Sequence, residues 1–348
     1  MGKLERIVDK LLGRGEEVKK GRTNSSNRAR SGRARSGSPR SLKKDLLEEY
    51  RGRDLLSVTD FEAETNDYGE TFHNCELVSQ SFSTPNTRPE DILSDLKLVH
   101  GIGPAREKQL KAEGIRTVRD LSDHPRWSDK AKRVNGAFRR EDLSEAYRIL
   151  RRWNKLSDPS LIEMAGLVDE SEFAFVDIET LGLTNQPIFL LGLVRPVEDG
   201  MEIHQFLAGD PGQEMATLVR FAEELSEQGL ILTYNGKNFD IPYIERRFAY
   251  YGERKKFSHP HIDLYLFARD VFGEGTRNCQ LNTIERSILG VRREVDIPSR
   301  LVPEFYRTYL EEANPGPLLP ILAHHRQDML SLAELFQELT EELLNENT

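Results

Sequence analysis

Hydrophobic and polar residues change rhythm along this chain. From Pro89 to about Leu150 the apolar positions recur at helical spacing. From Ser171 to about Leu344, helical stretches alternate with apolar runs short enough to be strands. In that second region EFAFVDIET (172–180) holds a buried strand marked by Phe173, Phe175 and Val176. PIFLLGLVRPV (187–197) and MEIHQFLAG (201–209) read as two more strands joined by Glu198-Asp199-Gly200. LILTYNG (230–236) is a further apolar strand. QEMATLVRFAEELSEQG (213–229) is an amphipathic helix ending at Gly229, and DIPYIERRFAYYG opens another at Asp240. PLLPILAHHRQDMLSLAELFQELTEELL (317–344) predicts a long helix, with Pro320 as a break point. Its apolar stripe is Leu322, Met329, Leu332, Phe336 and Leu339.

The N-terminal part is less regular. LERIVDKLL (4–12) fits a short amphipathic helix, whereas KKGRTNSSNRARSGRARSGSPRSLKK has no apolar surface to bury and is expected to be disordered. FEAETNDYGETFHNCELVSQSF alternates around Asn66-Asp67-Tyr68-Gly69, which predicts a small hairpin. The expected organisation is a basic arm over 1–45, a linker with a hairpin over 46–87, a helical module over 88–152 and an α/β domain over 165–345.

Composition narrows the classes. A chain of 348 residues suggests two or three units, and 37% apolar residues can build a core. No run of 18 apolar residues occurs, so no membrane span is expected. Met1-Gly2-Lys3-Leu4-Glu5 lacks the apolar stretch of a secretory signal. Cys75 and Cys279 match no disulfide framework or metal spacing, so a cytoplasmic setting is the simplest expectation. Net charge is −9, yet Lys19 to Lys44 carries ten basic residues and no acidic one. That arm either touches phosphates or is a solubilising tail.

Residues 95–121, DLKLVHGIGPAREKQLKAEGIRTVRDL, centre on Gly101-Ile102-Gly103-Pro104. The glycines permit a sharp turn, Pro104 suits a first helical turn, and Gly114 suits a left-handed cap after Ala105–Glu113. The segment resembles the helix-hairpin-helix family. The resemblance implies a phosphate held by the amides of Gly101 and Gly103 with Arg106 or Lys108. The competing reading is a packing or protein-docking module.

Asp177 and Glu179 are two apart on a strand, so both leave the same face. Side by side on a buried strand they need a cation, preferably a hard one; at a strand end they simply meet solvent. Asp240 sits where a strand gives way to a helix, as an N-cap also would, and Asn235 suits a plain turn equally well. His324 and Asp328, four apart, share one helix face, either as a surface pair or as base and metal ligand.

Acidic elements in this order resemble the DEDD exonuclease superfamily, in its YprB-like ribonuclease H-like branch. The carrying residues are FVDIET, TYNGKNFDIPYIERRF, HIDLYLFAR, NCQLNTIERSILG, DIPSRLVPEFYRTYL and HHRQDMLSL, essentially the whole C-terminal half. The resemblance implies an α/β fold with a mixed five-stranded sheet flanked by helices. Its first three strands would be antiparallel and the later ones parallel. It also implies two ions, Mg²⁺ or Mn²⁺, on Asp177, Glu179, Asp240 and Asp328. His324 takes the place of the general base, and Asn235 lies beside the scissile phosphate or a ligand. One departure stands out. The family carries Tyr four positions before its last Asp or His five before it; here Ala323 occupies the latter place and His324 the former, with His325 adjacent.

Lys237 and Arg277 are further candidates for phosphate contact. His261 and Asp263 read as hydrogen-bonded architecture, and Phe248, Tyr250 and Tyr251 either stack on a base or pack. The implied activity is metal-dependent 3′→5′ exonucleolysis of nucleic acid, at single strands or 3′ ends, with DNA favoured over RNA. The rival expectations are a non-catalytic nucleic-acid adaptor and a structure-selective endonuclease on the same fold.

Overall fold

A computed structural model describes residues 39–139, 142–293 and 297–345. The predicted helix over 4–12 and most of the basic arm lie outside the described residues. The end of the arm does not fit the expectation of disorder: Pro39–Glu49 is a helix. Leu46, buried, packs it against Leu319, and Lys43 donates to Glu304 at 2.6 Å. No helix among the described residues is long and apolar enough to cross a membrane.

One mixed sheet organises the chain. Its strands are β1 (Glu62–Asn66), β2 (Gly69–Val78), β3 (Phe173–Thr180), β4 (Ile188–Val197), β5 (Gly200–Leu207), β6 (Leu230–Thr233) and β7 (His261–Asp263). They lie in the order β1-β2-β5-β4-β3-β6-β7. As expected, β3, β4 and β5 are antiparallel, and β6 and β7 add in parallel. The sheet has seven strands rather than five because the predicted hairpin does not stay in a linker. It turns at Gly69, whose φ of +123° suits glycine, and β2 zips onto β5 from Phe72↔Leu207 to Val78↔Met201. Nothing local in 62–78 announces this, since the partner strand is distant in sequence.

Alternation along β3 sorts the two faces. Ala174, Val176 and Ile178 face the helices Glu214–Ser226 and Asp240–Tyr250 through Leu218, Phe221, Ile241 and Ile244. Phe173 and Phe175 face the opposite way, onto Met329, Leu332 and Phe336 of the helix Leu319–Asn345. That helix is continuous, because Pro320 falls in its first turn, where no amide is needed.

The helical stretch expected over 88–152 also packs on this second face. Leu96, Val99, Leu110, Val134, Phe138 and Ile149 share one core with Phe173, Leu230 and Phe267. Within it, Gly101 has φ +97°, Gly103 caps the helix Pro104–Ala112, and Gly114 has φ +91°. A side chain at Gly101 would be strained, by its φ and by a Cβ 3.0 Å from the Trp127 ring.

Candidate active site

Parity in β3 decides where the acids point. Asp177 and Glu179 share the face of Phe173 and Phe175, under the helix that carries His324 and Asp328. Gly192 of β4, paired with Asp177, lets that helix come close. A Cβ at Gly192 would lie 2.4 Å from His325 Cε1 and 2.6 Å from Met329 Sδ. Asp240 reaches the same place from the start of its helix, 5% exposed, close enough for its charge to act on Asp177 and Glu179.

Asp177 and Glu179 feel the charges of the other acids. Burial, then the charges of Asp328, Asp240 and Glu179, push Asp177 well above the carboxylate range. Burial pushes Glu179 up to about 7, with His324 pulling the other way and Asp328 adding to the rise. Burial also raises Asp240 to about 7. Asp177 still keeps 25% of its side-chain surface accessible, which tempers the effect and leaves a route in. Such a set of buried, mutually repelling oxygens fits hard divalent cations chemically. The carboxylates are not drawn tightly together: no three of them bring ligand atoms within 4.8 Å of one another.

A guanidinium explains part of that spacing. Arg293 donates to Asp328, to Glu285 and, at 2.7 Å, to His324 Nδ1. Glu285 is 1% exposed, opens a π-helical turn Glu285–Leu289, and also accepts from the Ser331 hydroxyl at 2.6 Å. Glu285 and Arg293 have no signal in the linear pattern; their chemistry emerges only when Asp328 is placed beside them.

The two adjacent histidines separate cleanly. His324 Nε2 lies 3.4 Å from Asp328 Oδ2 and 3.9 Å from Glu179 Oε1. His325 is fully buried, with Nδ1 accepting from Gln205 at 3.0 Å and Nε2 donating to the Asp177 carbonyl at 3.1 Å. Burial lowers its pKa to about 4, so it stays neutral and structural. Arg293 takes the Nδ1 lone pair of His324, so a neutral His324 carries its proton on Nε2, toward the acids.

Asn235 adopts φ +63° and borders a cleft of about 710 Å³ together with Arg293, His324, Asp328 and the exposed Arg300. Asp263 fixes this turn by accepting from the Asn235 amide at 2.7 Å and the Lys237 amide at 3.2 Å. His261 bonds Thr233 at 2.8 Å, so both residues are architecture, as expected. Lys237 is not directed at the cleft. Its ammonium donates to the Tyr147 hydroxyl at 2.6 Å and the His261 carbonyl at 3.3 Å, tying the helical segment to the sheet. Phe248 is core, and Tyr251 donates to Glu214 at 2.8 Å, whereas Tyr250 is exposed.

On the helical segment, Gly101, Gly103, Arg106 and Lys108 are all exposed. The pattern did not single out Trp127, around whose ring Arg106, Arg126 and Lys130 gather at 5.9, 4.7 and 5.4 Å.

Comparison with known proteins agrees with this frame. The RNase_H superfamily matches residues 174–340, which contain all four acids. The fold of this segment is ribonuclease H-like. The chain is also similar to Uncharacterized protein YprB of Bacillus subtilis (strain 168), with 32% identity over 210 residues. The match covers 59% of this chain and 50% of that protein, so the chain spans about half the length of this relative. The ribonuclease H-type domain points to nuclease chemistry on nucleic acid, and divalent ions are usual for that class.

Proposed function

We propose that this protein is a metal-dependent 3′→5′ exonuclease, with DNA as the preferred substrate and Asp177, Glu179, Asp240 and Asp328 as its metal-binding acids. The observation that carries this reading is the convergence of these largely buried carboxylates from β3 and two helices, close enough for the charges of Asp328 and Asp240 to act on Asp177 and Glu179. A pair of Mg²⁺ or Mn²⁺ ions bound there would activate water and stabilise the leaving oxygen of a phosphodiester.

The chain's own groups do the rest. The Asn235 turn, held by Asp263, borders the cleft in which a terminal nucleotide would lie. His324 is the general base of the proposal. In the arrangement described, Arg293 occupies its Nδ1 lone pair. Proton uptake therefore requires Arg293 to leave that nitrogen, which frees the guanidinium to meet phosphate. The exposed glycine turn at Gly101–Gly103 and the cations Arg106, Lys108, Arg126 and Lys130 would hold the nucleic acid as a helix-hairpin-helix module does.

The test is digestion of 3′- and 5′-labelled single strands, DNA and RNA, with Mg²⁺ or Mn²⁺. A ladder shortening from the 3′ end and an intact circular single strand are expected. Cleavage of the circle would make the protein an endonuclease. Gel retention with no product under any metal would make it an adaptor.

A further inference from the structure

A second group of ligand-type side chains lies on the paired strands β2 and β5, apart from the four acids. Cys75 and His204 are directly opposite each other in the ladder, and Glu202 is two residues before His204, on the same face. Ligand atoms of Cys75, Glu202 and His204 all lie within 4.8 Å of one another. No linear spacing reveals the trio, because strand pairing assembles it.

The spacing is that of a coordination shell. His204 Nε2 is 3.8 Å from Cys75 Sγ and 3.4 Å from Glu202 Oε2. Tetrahedral Zn²⁺ with bonds of about 2.0–2.3 Å places its ligand atoms roughly 3.3–3.6 Å apart. Thiolate, imidazole and carboxylate are also a donor set suited to Zn²⁺.

Hydrogen bonding behind His204 points its lone pair at the same spot. Glu64 only accepts, so His73, 3.0 Å away through Nδ1, carries its proton there. With both rings neutral, His73 Nε2 then accepts from His204 Nδ1 at 3.1 Å across rings only 9° from coplanar. His204 Nε2 then turns a lone pair toward the Cys75 sulfur and Glu202 Oε2, where a protonated thiol or a metal ion could meet it. A metal ion that displaces the thiol proton would be held by nitrogen, sulfur and carboxylate oxygen together. The Glu64–His73–His204 chain is the kind of outer support that orients a metal-bound imidazole. Arg195 lies 2.9 and 2.8 Å from the same Glu202 Oε2 through Nε and Nη2 and is also paired with Glu224 at 3.1 Å, so a metal ion would share that carboxylate with it.

We propose that Cys75, His204 and Glu202 form a transition-metal site, of the Zn²⁺ class, that clasps β2 onto β5. The inference is independent of the nuclease reading. Its test is titration of the reduced, metal-free full chain with Co²⁺, followed by competition with Zn²⁺. One equivalent of Co²⁺ should give a thiolate-to-cobalt charge-transfer band in the near ultraviolet that Zn²⁺ abolishes. The band should vanish in Cys75→Ser and persist in Cys279→Ser and in Asp240→Asn. Zn²⁺ should also raise Tm in Asp240→Asn but not when Asp240→Asn is combined with Cys75→Ser. Absence of the band from the unsubstituted protein, or its survival in Cys75→Ser, would overturn the proposal.

Discussion

One nitrogen of the Arg293 guanidinium donates to Asp328, and the same nitrogen donates to Glu285. Arg293 and Glu285 are 7% and 1% exposed in their side chains, so this is a buried contact. Removing one partner of such a pair leaves an uncompensated charge, at about 3–5 kcal/mol. Arg293→Ala is therefore expected to lose roughly 3 kcal/mol in metal-free denaturant unfolding. The combination Arg293→Met with Glu285→Gln should regain most of that, since the Ser331 hydrogen bond survives. A single substitution with unchanged stability would contradict the pairing.

The raised acids predict an unusual pH response. Glu179 and Asp240 have folded pKa values of about 7, above the ordinary carboxylate range, so the folded form holds protons that the unfolded form releases. Their stabilising contribution is complete below about pH 4 and is lost as pH rises through about 7. Asp240→Asn removes one of these charges. Without metal it should equal the unsubstituted protein at about pH 4 or below and exceed it at pH 8 by on the order of 4 kcal/mol. Nuclease activity with Mg²⁺ should fall at least ~10²-fold in the same variant. Equal stability at both pH values would show that burial does not raise the Asp240 carboxyl as described.

Adjacent histidines should fail in different ways. His325→Ala leaves Gln205 and the Asp177 carbonyl without their partner in a fully buried place, so it should cost about 2–4 kcal/mol. His324→Ala, beside the cleft, should leave Tm within a few degrees yet remove activity ~10²-fold or more. The check pairs thermal melts with single-turnover digestion; the opposite pattern would exchange the two roles.

Cations on the helical segment separate by partner. Arg126 and Lys130 are exposed beside Trp127, with Lys130 also donating to the His100 carbonyl at 3.0 Å, whereas Lys237, on the turn after β6, is half-buried and spent on Tyr147 and His261. Arg126→Ala or Lys130→Ala should reduce the slope of log K against log salt for DNA by ~0.7–0.9 each. Lys237→Met should leave that slope unchanged and lower stability by about 1 kcal/mol. Fluorescence anisotropy across a salt series reads both.

Legibility in the sequence followed the range of the interactions. Period-2 alternation placed Asp177 and Glu179 on one face, and helical period placed His324 beside Asp328, because both patterns are local. The hairpin over 62–78 was legible from its turn, but its union with β5 was not, since register is set by a distant strand. Arg293 and Glu285 were invisible for the same reason. Lys237 was misdirected because a lysine beside a glycine turn looks alike whether it meets phosphate or a tyrosine hydroxyl. The choice between His324 and His325 needed burial, which no motif carries.

The hairpin's attachment to β5 has a practical corollary for anyone trimming this chain. A fragment begun at 165 would unzip seven residue pairs and strip β5 of a neighbour. The bared peptide groups would seek other molecules of the same fragment, favouring insoluble assemblies over isolated catalysts. The shortest well-behaved piece should begin upstream of Phe61, whose ring is buried with Leu207 and Phe189.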